Sequence, residues 1–195
     1  MYSQYDEQKH ILAAFAEDYV GRFLDIGAWH PTDKSNTRAL YEAGWFGVLI
    51  EPSPGPMLNL LKEYGSNPNR ARLIQAAVTF EPQLVSMYVS DDAVSTSKLE
   101  EYEKWGTVTK FHGQMLVPGI TFEQIGNAFG GFDFVNIDAE GLSAQLFLQM
   151  LQLGWQPRCV CVEHESKLEM IASAATPLHY RVVYVNGTNA VMVRK

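Results

Sequence analysis

Long apolar runs are missing from this chain. No stretch of its 195 residues approaches the roughly 18 consecutive apolar positions that a membrane-spanning helix requires. The opening, Met1-Tyr2-Ser3-Gln4-Tyr5-Asp6-Glu7, has neither the basic region nor the apolar segment of a secretory signal. A soluble protein that is neither secreted nor membrane-bound is expected. Cysteine is scarce. The two present, Cys159 and Cys161, stand two apart in an apolar run, where an extended chain points both to one face without disulfide geometry. No Cys/His set has zinc-finger spacing. Reduced core cysteines and a reducing, cytoplasmic compartment are therefore expected. Positive charge is in deficit: Lys+Arg 15 against Asp+Glu 22 gives a formal charge of -7. Such a surface repels phosphate backbones, which argues against nucleic acid as a partner. Repeats, low-complexity tracts and Pro/Gly/Ser linkers are absent too. At roughly 150 residues per domain, 1–195 reads as a single domain, and 47% hydrophobic residues suffice for a sizeable core.

What recurs is a short apolar segment followed by an amphipathic one. The apolar segments span 22–26, 47–51, 71–75, 132–138 and 159–163. Several are near-continuous rather than alternating, as in strands covered on both faces. Between them, 37–43, 56–64 and 142–153 carry apolar residues at helical spacing, so an α/β domain with a mainly parallel sheet is expected. Residues 8–19 read as an amphipathic helix within an N-terminal region 1–20. At the other end, 180–185 and 190–193 flank the turn dipeptide Asn186-Gly187 and read as an antiparallel hairpin, with an edge available to a second copy in a homodimer. The section 84–118, with a strand at 84–90, reads as an irregular insert that helps build an acceptor pocket. Within it, Asp91 to Thr96 is either a polar loop or a cofactor-side lid.

In open α/β sheets, ligands bind beyond the carboxyl ends of the strands. Those ends carry Asp25-Ile26-Gly27-Ala28, Glu51-Pro52, Asp138-Ala139-Glu140-Gly141 and Glu163-His164-Glu165. Gly27 lacks the rest of a G-x-G-x-x-G fingerprint, whose glycines let a backbone approach a pyrophosphate. That argues against NAD or FAD. S-adenosylmethionine has no phosphate, so a single tight glycine turn can admit it. Asp25 then receives its ammonium, and Glu51 accepts hydrogen bonds from both ribose hydroxyls. Ala77, after the third strand, lies along the adenine. Ser35 caps the helix beginning at Asn36-Thr37, and the same N–H groups are alternatively a seat for the methionine carboxylate. Taken singly, Gly27 is an ordinary turn and Glu51 a solvated strand end. Their combination points to an adenosine cofactor.

Several runs resemble the FkbM family of S-adenosylmethionine-dependent methyltransferases. They are Phe23-Leu24-Asp25-Ile26-Gly27-Ala28, Ser35-Asn36-Thr37, Gly44-Trp45-Phe46-Gly47-Val48-Leu49-Ile50-Glu51-Pro52 and Asp133-Phe134-Val135-Asn136-Ile137-Asp138-Ala139-Glu140-Gly141. The opening Ser3-Gln4-Tyr5 and Thr121-Phe122-Glu123 also fit, so the resemblance spans nearly the whole chain in family order. It implies a Rossmann-like class I methyltransferase fold: a mostly parallel seven-stranded sheet, a C-terminal antiparallel hairpin and helices on both faces. It also implies O-methylation of a hydroxyl on a sugar or other small natural-product-like acceptor. Ala28, Asn36 and Pro52, inside the matching runs, join the cofactor residues. Ala28-Trp29-His30-Pro31 departs from the further Gly or Asn of many members.

Methyl transfer is an in-line displacement on an activated donor, so the protein chiefly aligns the reactants and manages the acceptor's proton. Asp138, Glu140, Glu163 and His164 are the candidates for that task. His164, the one imidazole among them, is the natural general base, or is simply a strand-end histidine bonded to a carbonyl. Asp138, Glu163 and His164 also occupy the places where a metal-dependent class of O-methyltransferases carries a divalent ion. A metal-free site, with Glu140 on the substrate, fits the same residues. Trp29 and His30 read as substrate-facing, and Trp45, Trp105 and Trp155 as core or edge aromatics. The alternative function is a non-catalytic adenosyl-cofactor-binding Rossmann module. A nicotinamide oxidoreductase ranks third.

Overall fold

Strand geometry sends alternate side chains to opposite faces, and in this chain both faces are covered. The computed structural model describes residues 1–90, 95–97 and 99–195, with backbone only at 101. In chain order its elements are α1 (Glu7–Leu12), β1 (Arg22–Ile26), α2 (Arg38–Glu42), β2 (Phe46–Ile50), α3 (Pro54–Tyr64), β3 (Ala71–Ile74), β4 (Ala77–Val78) and β5 (Gln83–Ser90). Then follow α4 (Leu99–Trp105), β6 (Phe111–Ile120), α5 (Phe122–Phe129), β7 (Phe134–Ile137), α6 (Ser143–Gln152), β8 (Cys159–Glu163), α7 (Leu168–Ala175), β9 (Tyr180–Val185) and β10 (Asn189–Arg194).

The main sheet has seven strands in the order β3-β2-β1-β7-β8-β10-β9. The pairs among β3, β2, β1, β7 and β8 are parallel, and β10 runs antiparallel to both β8 and β9. This is the mostly parallel sheet with a terminal antiparallel hairpin that the sequence predicts. Leu24, Ile26, Val48, Ile50, Val135, Ile137, Val160 and Val162 face one way, against Ile125, Phe147, Met150 and Ile171 of α5, α6 and α7. Phe23, Leu49, Phe134, Cys159 and Cys161 face the other way, against Ile11, Leu40, Leu60 and Tyr64 of α1, α2 and α3. Both cysteines are free and buried on that single face, as their spacing requires. Among the described residues no helix is long and apolar enough to cross a membrane.

Three details differ from the sequence reading. Helix α1 has six residues, and beyond it Ala14 and Phe15 close tighter turns onto Ile11 and Leu12. Phe15 and Tyr19 then pack edge-on against buried Trp45, a burial that a straight helix through 19 does not provide. The hairpin turns at Gly187-Thr188, one residue later than expected. The Asn186 side-chain oxygen accepts the N–H groups of Thr188 at 2.8 Å and Asn189 at 2.7 Å, replacing a backbone acceptor. The stretch read as irregular holds a second sheet, β4-β6-β5, with β5 and β6 antiparallel. Its strand β5 is the one read at 84–90, whereas β6 was not read: Leu84 and Leu116 stay in solvent (68% and 63% exposed), so no buried alternation marks that face. Asp91 to Val94 lie outside the described residues.

Phe134→Ala empties a fully buried site and is expected to cost about 3–5 kcal/mol. Leu84→Ala, on the exposed face, stays within about 0.5 kcal/mol. Urea unfolding midpoints check both.

Candidate functional site

Chain connections diverge at β1. Strands β2 and β3 follow on one side, β7 and β8 lie on the other, and a crevice opens at their carboxyl ends. The end of β1 is clamped there. The N–H groups of Gly27 and Ala28 both bond to Ile50 O (2.9 and 3.1 Å), and Asp138 N–H bonds to Ile26 O (2.9 Å). Gly27 sits at φ +77, and a Cβ on it would lie 1.7 Å from the Asp138 carbonyl oxygen. Only glycine fits that approach.

The register sets Leu49, Asp25, Asn136 and Cys161 in one row across β2, β1, β7 and β8. Asp25 therefore points into the helix-covered face and is 3% exposed. Thr37 Oγ1 donates to it at 2.5 Å and Asn136 Nδ2 at 2.9 Å. Asn36 Nδ2 donates in turn to Asn136 Oδ1 at 3.0 Å. Burial pushes the Asp25 carboxyl above its ordinary pKa, and the two hydrogen bonds offset part of that. Glu51, 5% exposed at the end of β2, accepts the N–H groups of Trp29 (3.1 Å) and Ser53 (2.7 Å). Its pKa is likewise raised by burial, against the pull of those backbone bonds. Ser35 Oγ accepts the N–H groups of Thr37 (3.4 Å) and Arg38 (3.1 Å), so the start of α2 is capped within the protein.

A single cleft of about 700 Å³ unites these groups. Asp25, Gly27, Ala28, Ser35, Asn36, Glu51, Pro52 and Ala77 all line it, as do Asp138, Glu140 and Glu163. Burial, then the charges of Glu163, Glu140 and Asp25, raise the Asp138 carboxyl well above the usual range, and a hydrogen bond shared with Glu163 adds to the effect. Ser143 Oγ donates to Glu163 at 3.2 Å and accepts Ala139 N–H at 2.8 Å, fixing this end of the cleft. Of the six non-glycine residues with positive φ among those described, Trp29, Lys34, Glu140, Glu165 and Ser166 lie in the loops of this rim. Backbone strain of that kind concentrates where ligands are held.

His164 is placed elsewhere. Adjacent residues of an extended strand end point to opposite sides, and with Glu163 toward the cleft His164 turns to the hairpin. Its Nε2 bonds Asn186 O at 3.0 Å, and its Nδ1 accepts Ser166 N–H at 3.2 Å. The expected metal set of Asp138, Glu163 and His164 is thereby corrected: its histidine is turned away. Among the described residues, no three His, Cys, Asp or Glu side chains gather as metal ligands.

Trp29 lines the cleft, whereas His30 spends Nδ1 on the N–H groups of Asp33 and Thr32. Trp105, expected as a core or edge aromatic, lines the cleft with Glu100 and Lys104. Sequence reasoning missed Asn136, Thr37 and Gln4. For Asn136 the signal was present, a carboxamide inside the apolar run Val135-Asn136-Ile137.

No family model matches this chain, and no curated relative does. Solved structures do. The Escherichia coli protein YhhF, described as a methyltransferase, aligns at TM-score 0.55 and 13% identity, covering 99% of this chain and 87% of that one. The FkbM methyltransferase of Methylobacillus flagellatus KT aligns at TM-score 0.55 and 11% identity over 89% of this chain and 43% of that one. A hypothetical protein of Thermus thermophilus aligns at 0.51 and 20%, covering 99% and 87%. At these identities the likeness is one of fold, and the fold is that of the Rossmann-like methyltransferases.

Asp25, Glu51 and Asp138 each hold a proton more tightly folded than unfolded, so the native state carries more protons and stability falls as pH rises. Their contribution is full below the ordinary carboxylate range near about 4 and is lost as pH climbs through the raised native values. Asp138→Asn is expected to flatten this decline, read as urea midpoints between about pH 5 and pH 8.

Proposed function

We propose that the chain is an S-adenosylmethionine-dependent methyltransferase that methylates a hydroxyl of a sugar or other small acceptor. One observation carries the reading. Asp25 and Glu51, two buried carboxylates without an ion-pair partner among the described residues, flank the glycine turn at the switch point and line one cleft. The residues fit the cofactor. The Gly27 turn leaves no room for a side chain, and the negative cleft suits a cationic sulfonium and ammonium.

When bound, the cofactor supplies a methyl group on positively charged sulfur. Asp25 faces the ammonium, and Glu51 offers the ribose hydroxyls the lone pairs that Trp29 and Ser53 leave free. Pro52 and Ala77 give the apolar walls. Asp138 and Glu163 share a hydrogen bond, and a carboxylate of this pair, in its charged form, accepts the proton of the acceptor hydroxyl as it attacks. Glu140 hydrogen-bonds the acceptor. Ser95, Thr96 and Ser97, which also line the cleft, supply a polar wall suited to a hydroxyl-rich molecule.

Calorimetric titration is expected to detect binding of S-adenosylhomocysteine and none of NADH. Glu51→Ala should weaken the former by about 10- to 100-fold, the loss of hydrogen bonds to a charged acceptor. Tight NADH binding without S-adenosylhomocysteine binding contradicts the reading. Asp138→Asn should keep cofactor affinity within about twofold while turnover drops by roughly 10²- to 10⁴-fold. Undiminished turnover would remove Asp138 from the chemistry, and no turnover in the wild type toward any hydroxyl acceptor would favour a binding module.

A further inference from the structure

The opening segment of the chain is pinned at both ends. At one end the Tyr2 hydroxyl donates to Glu42 Oε1 at 2.8 Å, and Tyr2 N–H donates to Gln8 Oε1 at 2.7 Å. At the other, Glu7 is 0% exposed. Its carboxylate accepts Nδ2 of Asn186 at 2.7 Å, Nδ2 of Asn189 at 2.9 Å and the N–H of Tyr5 at 2.8 Å. Glu42 belongs to α2 and the two asparagines to the β9–β10 turn, so residues 2–7 bridge α2 and the hairpin. Three neutral donors on one enclosed carboxylate fix a position rather than a charge pair.

Gln4 lies midway along that bridge. It lines the same cleft as Asp25 and Asn36, and no hydrogen bond engages its carboxamide among the described residues. A free carboxamide both donates and accepts, so it recognises polar groups of either kind. The N–H groups of Thr37 and Arg38, at the start of α2, already bond to Ser35 Oγ. A carboxylate in the cleft finds those two donors engaged.

We propose that Gln4 binds the amino-acid end of the adenosyl cofactor through its carboxylate, and that Glu7 is the positioning residue that holds Gln4 there. The assignment rests on the methyltransferase reading above. It gives the pinned opening segment a role in selecting the ligand.

The test compares S-adenosylhomocysteine with 5′-methylthioadenosine, which lacks the amino-acid portion, by titration of the full chain. Gln4→Ala is expected to weaken S-adenosylhomocysteine about five- to tenfold and to leave 5′-methylthioadenosine unchanged. Glu7→Gln, which turns an amide hydrogen toward donors, should reproduce that selective loss. The double variant should lose no more than Gln4→Ala alone, because both act through one contact. Unchanged S-adenosylhomocysteine affinity in Gln4→Ala overturns the proposal, as does an equal loss for both ligands. If Glu7→Gln does not fold, Gln4→Ala, a change at an exposed residue, decides alone. A wild-type chain that binds neither ligand refutes the cofactor reading itself, an outcome distinct from a bound but unselective ligand.

Discussion

Burying a carboxylate without a cation against it is costly, and this fold does so at two places on one rim, with a half-buried third beside them. Asp25 and Glu51 are buried and Asp138 is half-buried; each has its pKa raised first of all by burial, and none has an ion-pair partner among the described residues. What makes the burial of Asp25 and Glu51 tolerable is neutral: a threonine hydroxyl, an asparagine amide and two backbone N–H groups. Those partners hold the oxygens in place and leave most of the negative charge uncompensated. A cationic ligand would complete the electrostatics, and that incompleteness is a physical mark of a binding site rather than of a structural core.

The rest of the site follows from where strands end. Parallel pairing of β1 with β2 and β7 brings their carboxyl ends to one level, and the side-chain alternation that buries Leu24 and Ile26 on one face sends Asp25 to the other. Gly27 then has to pass the backbone of Asp138 too closely for any side chain. The ends of β1 and β7 are thereby joined through one backbone contact. Loops after β1, β7 and β8 absorb the strain at Trp29, Glu140 and Glu165.

Much of this was legible in the sequence because it depends on local periodicity. Near-continuous apolar runs mark doubly covered strands, and the acidic residues that close them mark the rim. The cofactor-side residues come together in one cleft because each sits within a few positions of a strand end, where small errors in element boundaries do little harm. His164 failed for the opposite reason: a one-residue step reverses the side it faces, and spacing alone cannot say which of Glu163 and His164 looks inward. Of the second sheet only the strand at 84–90 was legible, since its apolar residues serve an exposed face that follows no buried pattern, and the place of Trp105 in a cleft wall follows none either. Glu7 was beyond reach, because its partners Asn186 and Asn189 lie at the other end of the chain.

A crystal structure of the chain with S-adenosylhomocysteine tests the central claim most directly. The account predicts ribose hydroxyls on the Glu51 carboxylate, the amino group beside Asp25 and the sulfur facing Asp138. A molecule bound elsewhere, or a complex in which Glu51 touches nothing but Trp29 and Ser53, would contradict it.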